Sequence, residues 1–138
     1  MYLLDTCVVS ELRKPGCDPA VAACLGLLDR DQLFVSALTL GEIRRGLDLL
    51  DEGRRRQELM IWLNGLSSLF GEKILPVDGM TAEIWGQLSA AAQRKGVVVG
   101  AVDQLLAATA IRHGFTLVTR NTKHFEPFTV KLLNPWLG

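Results

Sequence analysis

The sequence has no apolar run of about 18 residues and no basic leader followed by a small-residue cleavage site, so neither a membrane-spanning helix nor a secretory route is expected. It also has no net charge: 15 Lys and Arg balance 15 Asp and Glu. Whole-molecule attraction to nucleic acid or to an anionic membrane is therefore not supported, and any such contact has to come from a local basic patch. Arg13 with Lys14, Arg44 with Arg45, and the run Arg54, Arg55, Arg56 are the candidates. Each reads first as a solvated helix face or helix end and only second as a ligand contact. Cysteine is scarce. Cys7, Cys17 and Cys24 are odd in number and confined to the first quarter of the chain, which fits a reducing compartment, the cytoplasm, better than a disulfide framework. The two histidines, His113 and His124, lack H-x-x-x-H or cysteine spacing, which argues against zinc and leaves them as surface or packing residues. No internal repeat and no low-complexity segment occurs.

What is present is the composition of an ordinary soluble globular protein, 49% hydrophobic and 22% charged. With 138 residues and 15.2 kDa, residues 1–138 fit one domain that buries about 70% of the surface its unfolded form exposes. Short apolar runs, "MYLLD", "QLFVSAL", "KILPV", "FTLVT" and "VKLLN", read as strands. Longer amphipathic stretches separate them. Asp18 and Pro19 mark a helix start as cap and first residue. "TLGEIRRGLDLL" and "RRRQELMIWLNGLSSLFG" read as helices, the second with Leu59, Trp62, Leu63 and Leu66 on one stripe. "MTAEIWGQLSAAAQRKG" reads as a helix capped by Thr81 and closed by Gly96, and "VDQLLAATAIRHG" as another closed by glycine. Apolar strands separated by helices predict an α/β class with a parallel sheet covered on both faces. In such sheets ligands bind beyond the carboxyl ends of the strands, so the polar residues that follow the apolar runs become the candidates.

Asp5 ends the first run, Glu42 follows the second and Asn121 the fourth, while Asp103 opens a helix amid "GVVVGAVDQLLAATA". Each acid has a structural alternative. Asp5 can cap the following helix. Glu42 stands three residues after Thr39, the spacing of a capping box. Asp103 can complement the positive end of its helix, though that preference is worth only about 0.3–1 kcal/mol. Taken together they differ, because carboxylates gathered at one sheet edge repel unless a cation neutralises them. Hard oxygen ligands without histidine favour Mg²⁺ or Mn²⁺, and such a site suits hydrolysis of a nucleic-acid backbone.

A rival chemistry starts from Cys7 and Arg13, spaced C-x5-R as in thiolate phosphatases. The intervening Val8, Val9, Ser10, Glu11 and Leu12 include no glycine, two stiff valines and an acid that opposes phosphate, so the cradle of backbone N–H groups is not expected. Phosphoryl transfer through D-x-D would need a second aspartate at position 7, where cysteine stands.

"MYLLDTCVVSELRKP", "VSALTLGEIRRGL", "AVDQLLAATAIRHGFTLVTRNTKHF" and "LLNPWLG" resemble, in order and spacing, the PIN-domain toxins of bacterial toxin–antitoxin pairs, the VapC type and particularly its FitB-like branch. The likeness covers nearly the whole chain. It implies a three-layer α/β/α PIN-like domain with a central parallel sheet and a Mg²⁺- or Mn²⁺-dependent endoribonuclease activity. It also implies a homodimer, neutralised by a small DNA-binding antitoxin whose tail covers the active site. By motif, Asp5, Glu42 and Asp103 match the metal-site acids, and Asn121 matches a fourth position that is often aspartate. Thr6 and Thr119 match hydroxyl residues that support the site. Arg44, Arg45 and Arg120 are candidates for contact with RNA phosphates, and Arg44 and Arg45 alternatively for contact with the antitoxin. After "LLDT" the family usually has asparagine; here Cys7 follows, a poorer hydrogen-bonding group, so a PIN fold kept only for binding RNA or protein is the rival reading.

Overall fold

The computed structural model describes Met1–Gly138. Five strands, β1 (Tyr2–Leu4), β2 (Leu33–Ser36), β3 (Ile74–Leu75), β4 (Thr116–Val118) and β5 (Leu132–Leu133), form one wholly parallel sheet in the order β3-β2-β1-β4-β5. Leu4 is paired with Val35 on one side and Val118 on the other, so β1 lies at the centre of the sheet. From β1 the chain first builds outward through β2 and β3, then returns to the other side of β1 for β4. That reversal opens a crevice at the carboxyl ends of β1 and β4, where parallel sheets place ligands.

Alternation along the short strands divides the core between two faces. Leu4, Val35 and Val118 join Val8 and Val9 of α1 (Thr6–Arg13), Val21 and Leu25 of α2 (Pro19–Gly26), Ile43 and Leu47 of α3 (Ala37–Asp48), and Leu63 and Leu66 of α4 (Arg54–Phe70). Leu3 and Leu117 join Ala92 of α5 (Gly79–Arg94), Leu106, Ala107 and Ala110 of α6 (Ala101–His113), and Phe125 of α7 (Thr122–Phe125). The result is three layers, α/β/α. The stripe expected on α4 holds, with Leu63 and Leu66 buried and Leu59 and Trp62 packed beside them.

The strands are shorter than their apolar runs because capping residues intrude. Ser36 ends β2 and accepts from the Leu38 amide at 3.0 Å, so α3 starts two residues before the expected Thr39. The expected cap Thr81 lies inside α5; Asp78 caps that helix instead, accepting from the Thr81 amide at 2.9 Å. Asp18 and Pro19 open α2 as expected. Gly114 closes α6 in the left-handed conformation at φ 68°, which a side chain with a Cβ adopts at a cost. All three cysteines are free thiols, and no helix is long and apolar enough to cross a membrane.

Candidate functional site

Asp5 is the single residue between β1 and α1. Its extended backbone lets Oδ1 accept from the Thr6 amide at 2.7 Å, so the capping role exists. It accounts for only one oxygen. Oδ2 accepts from Thr119 Oγ1, just beyond β4, at 2.7 Å, and Thr119 Oγ1 accepts in turn from the Asn121 amide at 3.0 Å. A cap on a surface helix needs no burial, yet Asp5 is only 5% exposed. Burial pushes its carboxyl up from the usual range; the hydrogen bonds from Thr119 and Thr6 oppose this, and the charge of Asp103 adds to it.

Glu42 does not close a capping box. Ser36 caps α3, Thr39 is fully buried, and Glu42 Oε1 accepts from Thr6 Oγ1 at 2.6 Å. The same hydroxyl lies 3.1 Å from Thr39 Oγ1, so Thr6 pins the start of α1 to α3 at the sheet edge. The Glu42 carboxyl is likewise raised, by burial first, against the Thr6 bond, and then by the charges of Asp5 and Asp103. Asp103 stands in the first turn of α6, partly buried, with Oδ2 at 3.2 Å from His124 Nδ1. The crevice thus gathers three acids, and the charge of Asp103 reaches both Asp5 and Glu42. As the side chains stand, no three His, Cys, Asp or Glu groups converge into a ready-made ligand set. Mg²⁺ does not require one, since it keeps several waters and takes one or two carboxylates plus substrate phosphate.

Cys7 Sγ lies 3.7 Å from Asp5 Oδ2 and 3.9 Å from Thr119 Oγ1. Burial and the Asp5 charge push its thiol up, the opposite of what a nucleophilic thiolate needs. Arg13 sits at the far end of the same helix with its guanidinium 5.5 Å over the Trp62 ring. No phosphate cradle forms between them, and the thiol-phosphatase reading is set aside.

The arginines divide. Arg45, three residues on from Glu42, shares its flank of α3 and is exposed. Arg44 turns away: its Nε pairs with Asp48 Oδ2 at 2.9 Å, and Arg56 meets Asp48 Oδ1 at 3.1 Å. Arg120, between Thr119 and Asn121, stacks its guanidinium 5.1 Å over Trp136. Asn121 makes no side-chain cap bond to α7 and is exposed beside the crevice. His113 packs on Phe115 at 5.4 Å between centroids, as expected of a packing residue. His124 is exposed, as expected of a surface residue, but its ring also meets one of the candidate acids, a contact that nothing in its sequence spacing signals.

A family model described as PIN domain matches residues 2–127. VapC ribonuclease Y4jK of Sinorhizobium fredii is 39% identical over 99% of this chain and 98% of that protein. Toxin FitB of Neisseria gonorrhoeae is 37% identical, covering 99% of each. Among solved structures, FitAcB from Neisseria gonorrhoeae superposes with a TM-score of 0.90 at 37% identity, covering 99% of both chains. FitAB bound to an IR36 DNA fragment also gives 0.90, at 36% identity over 99% of this chain and 96% of that one. The crevice, the order of strands and these likenesses agree: the chain belongs to the PIN-domain family, on the branch that includes VapC and FitB.

Proposed function

We propose that the chain is the toxin of a toxin–antitoxin pair, an endoribonuclease that hydrolyses RNA phosphodiester bonds with Mg²⁺, or with Mn²⁺ in its place. The observation that carries this reading is the gathering of Asp5, Glu42 and Asp103 at the carboxyl ends of the central strands, with Asp5 buried and held by Thr119 and Glu42 held by Thr6; burial and then neighbouring negative charge disfavour both carboxyls as anions. Such an arrangement costs stability unless a cation relieves it. The donors are carboxylate oxygens, and the one nearby sulfur is held as a thiol, so the set fits a hard divalent ion. Asp5 and Asp103 would hold it. When bound, such an ion polarises the phosphodiester and lowers the pKa of a water that attacks it.

The chain's own residues divide the remaining work. Glu42, its carboxyl raised toward working pH, suits a base that takes the proton of the attacking water. Thr6 holds Oε1 of Glu42 and leaves Oε2 for that proton. Thr119, just beyond β4, fixes the Asp5 carboxylate and accepts from the Asn121 backbone N–H, and the Asn121 side chain would add a neutral polar contact. With Asn121 neutral, three acids carry the site's charge. That suits one ion, and a second would need substrate phosphate as ligand. Arg45, exposed on the flank of α3 that carries Glu42, and Arg120 are the residues we assign to RNA phosphates. The FitAB complex on DNA supports a cognate antitoxin with a DNA-binding domain as partner, and our reading has the toxin working as a homodimer in the cytoplasm.

Asp103→Asn tests the reading: RNA cleavage and growth inhibition should fall by at least about 100-fold, the scale seen when one electrostatic contributor to a transition state is lost. A folded Asp103→Asn protein that cuts as fast as the parent overturns it. The absence of a preformed ligand trio, together with Cys7 beside Asp5, favours a second reading, a PIN fold that binds without cutting. A magnesium titration followed by thermal melting separates the two. A working site raises Tm by mass action, by about 2.7 kcal/mol of stability at 100-fold excess over Kd. No shift at millimolar Mg²⁺ favours the binding module.

A further inference from the structure

His124 is the one ring that touches the acid cluster, and the fold holds it there by more than chance proximity. The next residue, Phe125, is fully buried against Leu106, Ala107 and Leu117, and Phe128 is buried close behind it. The His124 amide donates to Asn121 O at 3.0 Å and the Glu126 amide to Thr122 O at 3.0 Å, closing α7 as a single tight turn. The backbone carrying the ring is therefore fixed by the core, although the ring itself is largely exposed. Its Nδ1 lies 3.2 Å from Asp103 Oδ2. A carboxylate oxygen only accepts, so Nδ1 carries the hydrogen.

We propose that His124 is a positioning residue for the metal-holding acid Asp103: by donating to Oδ2 it fixes the carboxylate's rotation and leaves Oδ1 for the cation. This rests on the metal-dependent reading above. The argument is one of magnitudes. An exposed His–Asp contact adds little to folding, on the order of 0–1 kcal/mol. A partner that orients a metal-binding carboxylate, by contrast, typically changes metal affinity by about 10–100-fold when removed. Since Asp103 is partly exposed at the first turn of α6 and Asp5 is already held by two donors, the rotation of Asp103 is the looser half of the ligand pair. The ring ties it.

The test is Mn²⁺ binding to the metal-free protein, read by calorimetry or by the loss of the free-ion paramagnetic signal, with no turnover involved. His124→Ala should weaken Mn²⁺ affinity by about 10-fold or more at unchanged Tm. His124→Asn, whose amide nitrogen can stand where Nδ1 stood, should recover most of the loss. An alanine variant that binds within two-fold of the parent overturns the inference, and so does an asparagine variant no better than alanine, because the donated hydrogen would then not matter. Asp103→Asn separates this from failure of the broader reading. If it loses Mn²⁺ while His124→Ala does not, only the role of His124 falls. If Asp103→Asn binds as the parent does, the metal site falls and the role of His124 with it.

Discussion

The two ends of α6 place charge in opposite ways. In its first turn Asp103 joins Asp5 and Glu42, and the carboxyls of those two partners are pushed up by burial and then further by like charge. In its last turn, roughly 14 Å away along the axis, Arg112 comes within 3.8 Å of Asp78. There the Asp78 carboxyl is held below its usual range, first by the Thr81 amide, with Arg112 and His113 adding. One end settles an acid with donors and positive charge, which is how a helix cap is built. The other stacks negative charge on negative charge around hydroxyl donors, which serves stability poorly and serves a cation well. The same contrast separates Asp48, lowered by Arg44 and Arg56, from Glu42, which lies before it on α3.

The largest effect that distinguishes the two ends comes from a single hydroxyl. Thr6→Val keeps the shape of the side chain and removes the donor 2.6 Å from Glu42 Oε1. RNA cleavage is expected to fall by about 10–100-fold, with about 1–3 kcal/mol of stability lost from the unsatisfied carboxylate. Arg112→Gln, at the other end of α6, should leave the cleavage rate at the parent value while altering the melting curve. Equal losses of cleavage in both variants would break the contrast, since the arrangement around Glu42 would then carry no special weight.

How far the residues alone reveal this arrangement depends on what kind of contact is involved. Periodicity exposes the layers: the stripe on α4 and the apolar runs of β1, β2 and β4 are local patterns, and burial follows them. Caps are half visible. Asp18 with Pro19 is unmistakable, whereas Thr39 and Glu42 have capping-box spacing but are diverted by Ser36, which starts α3 earlier. The acids can be nominated from their places after the strands, yet their partners cannot. Thr6 to Glu42 spans 36 residues and Thr119 to Asp5 spans 114, and only the return of β4 to the side of β1 joins the second pair. His124 is invisible for the same reason: its approach to Asp103 is fixed by the burial of Phe125, a tertiary fact with no spacing of its own.

The smallest effect is thermodynamic, and it runs in opposite directions at the two ends. A carboxyl whose pKa is raised in the folded state, such as Asp5, weakens folding once ionised; the loss sets in as pH climbs past the unfolded value and is complete above the folded one. Asn keeps the cap and removes the charge, so Asp5→Asn in EDTA should melt above the parent at pH 7, and the gap should close as pH falls below about 4. For Asp78, lowered in the folded state, the sign reverses. Its ionised form adds stability above the unfolded pKa and loses it as pH falls through the folded one. Asp78→Asn should therefore melt slightly below the parent at pH 7 and converge with it in acid. Melting curves of the three proteins at pH 7 and pH 4 decide the matter. If both asparagine variants move the same way, the two ends of α6 are electrostatically alike, and the strain assigned to the acid cluster does not exist.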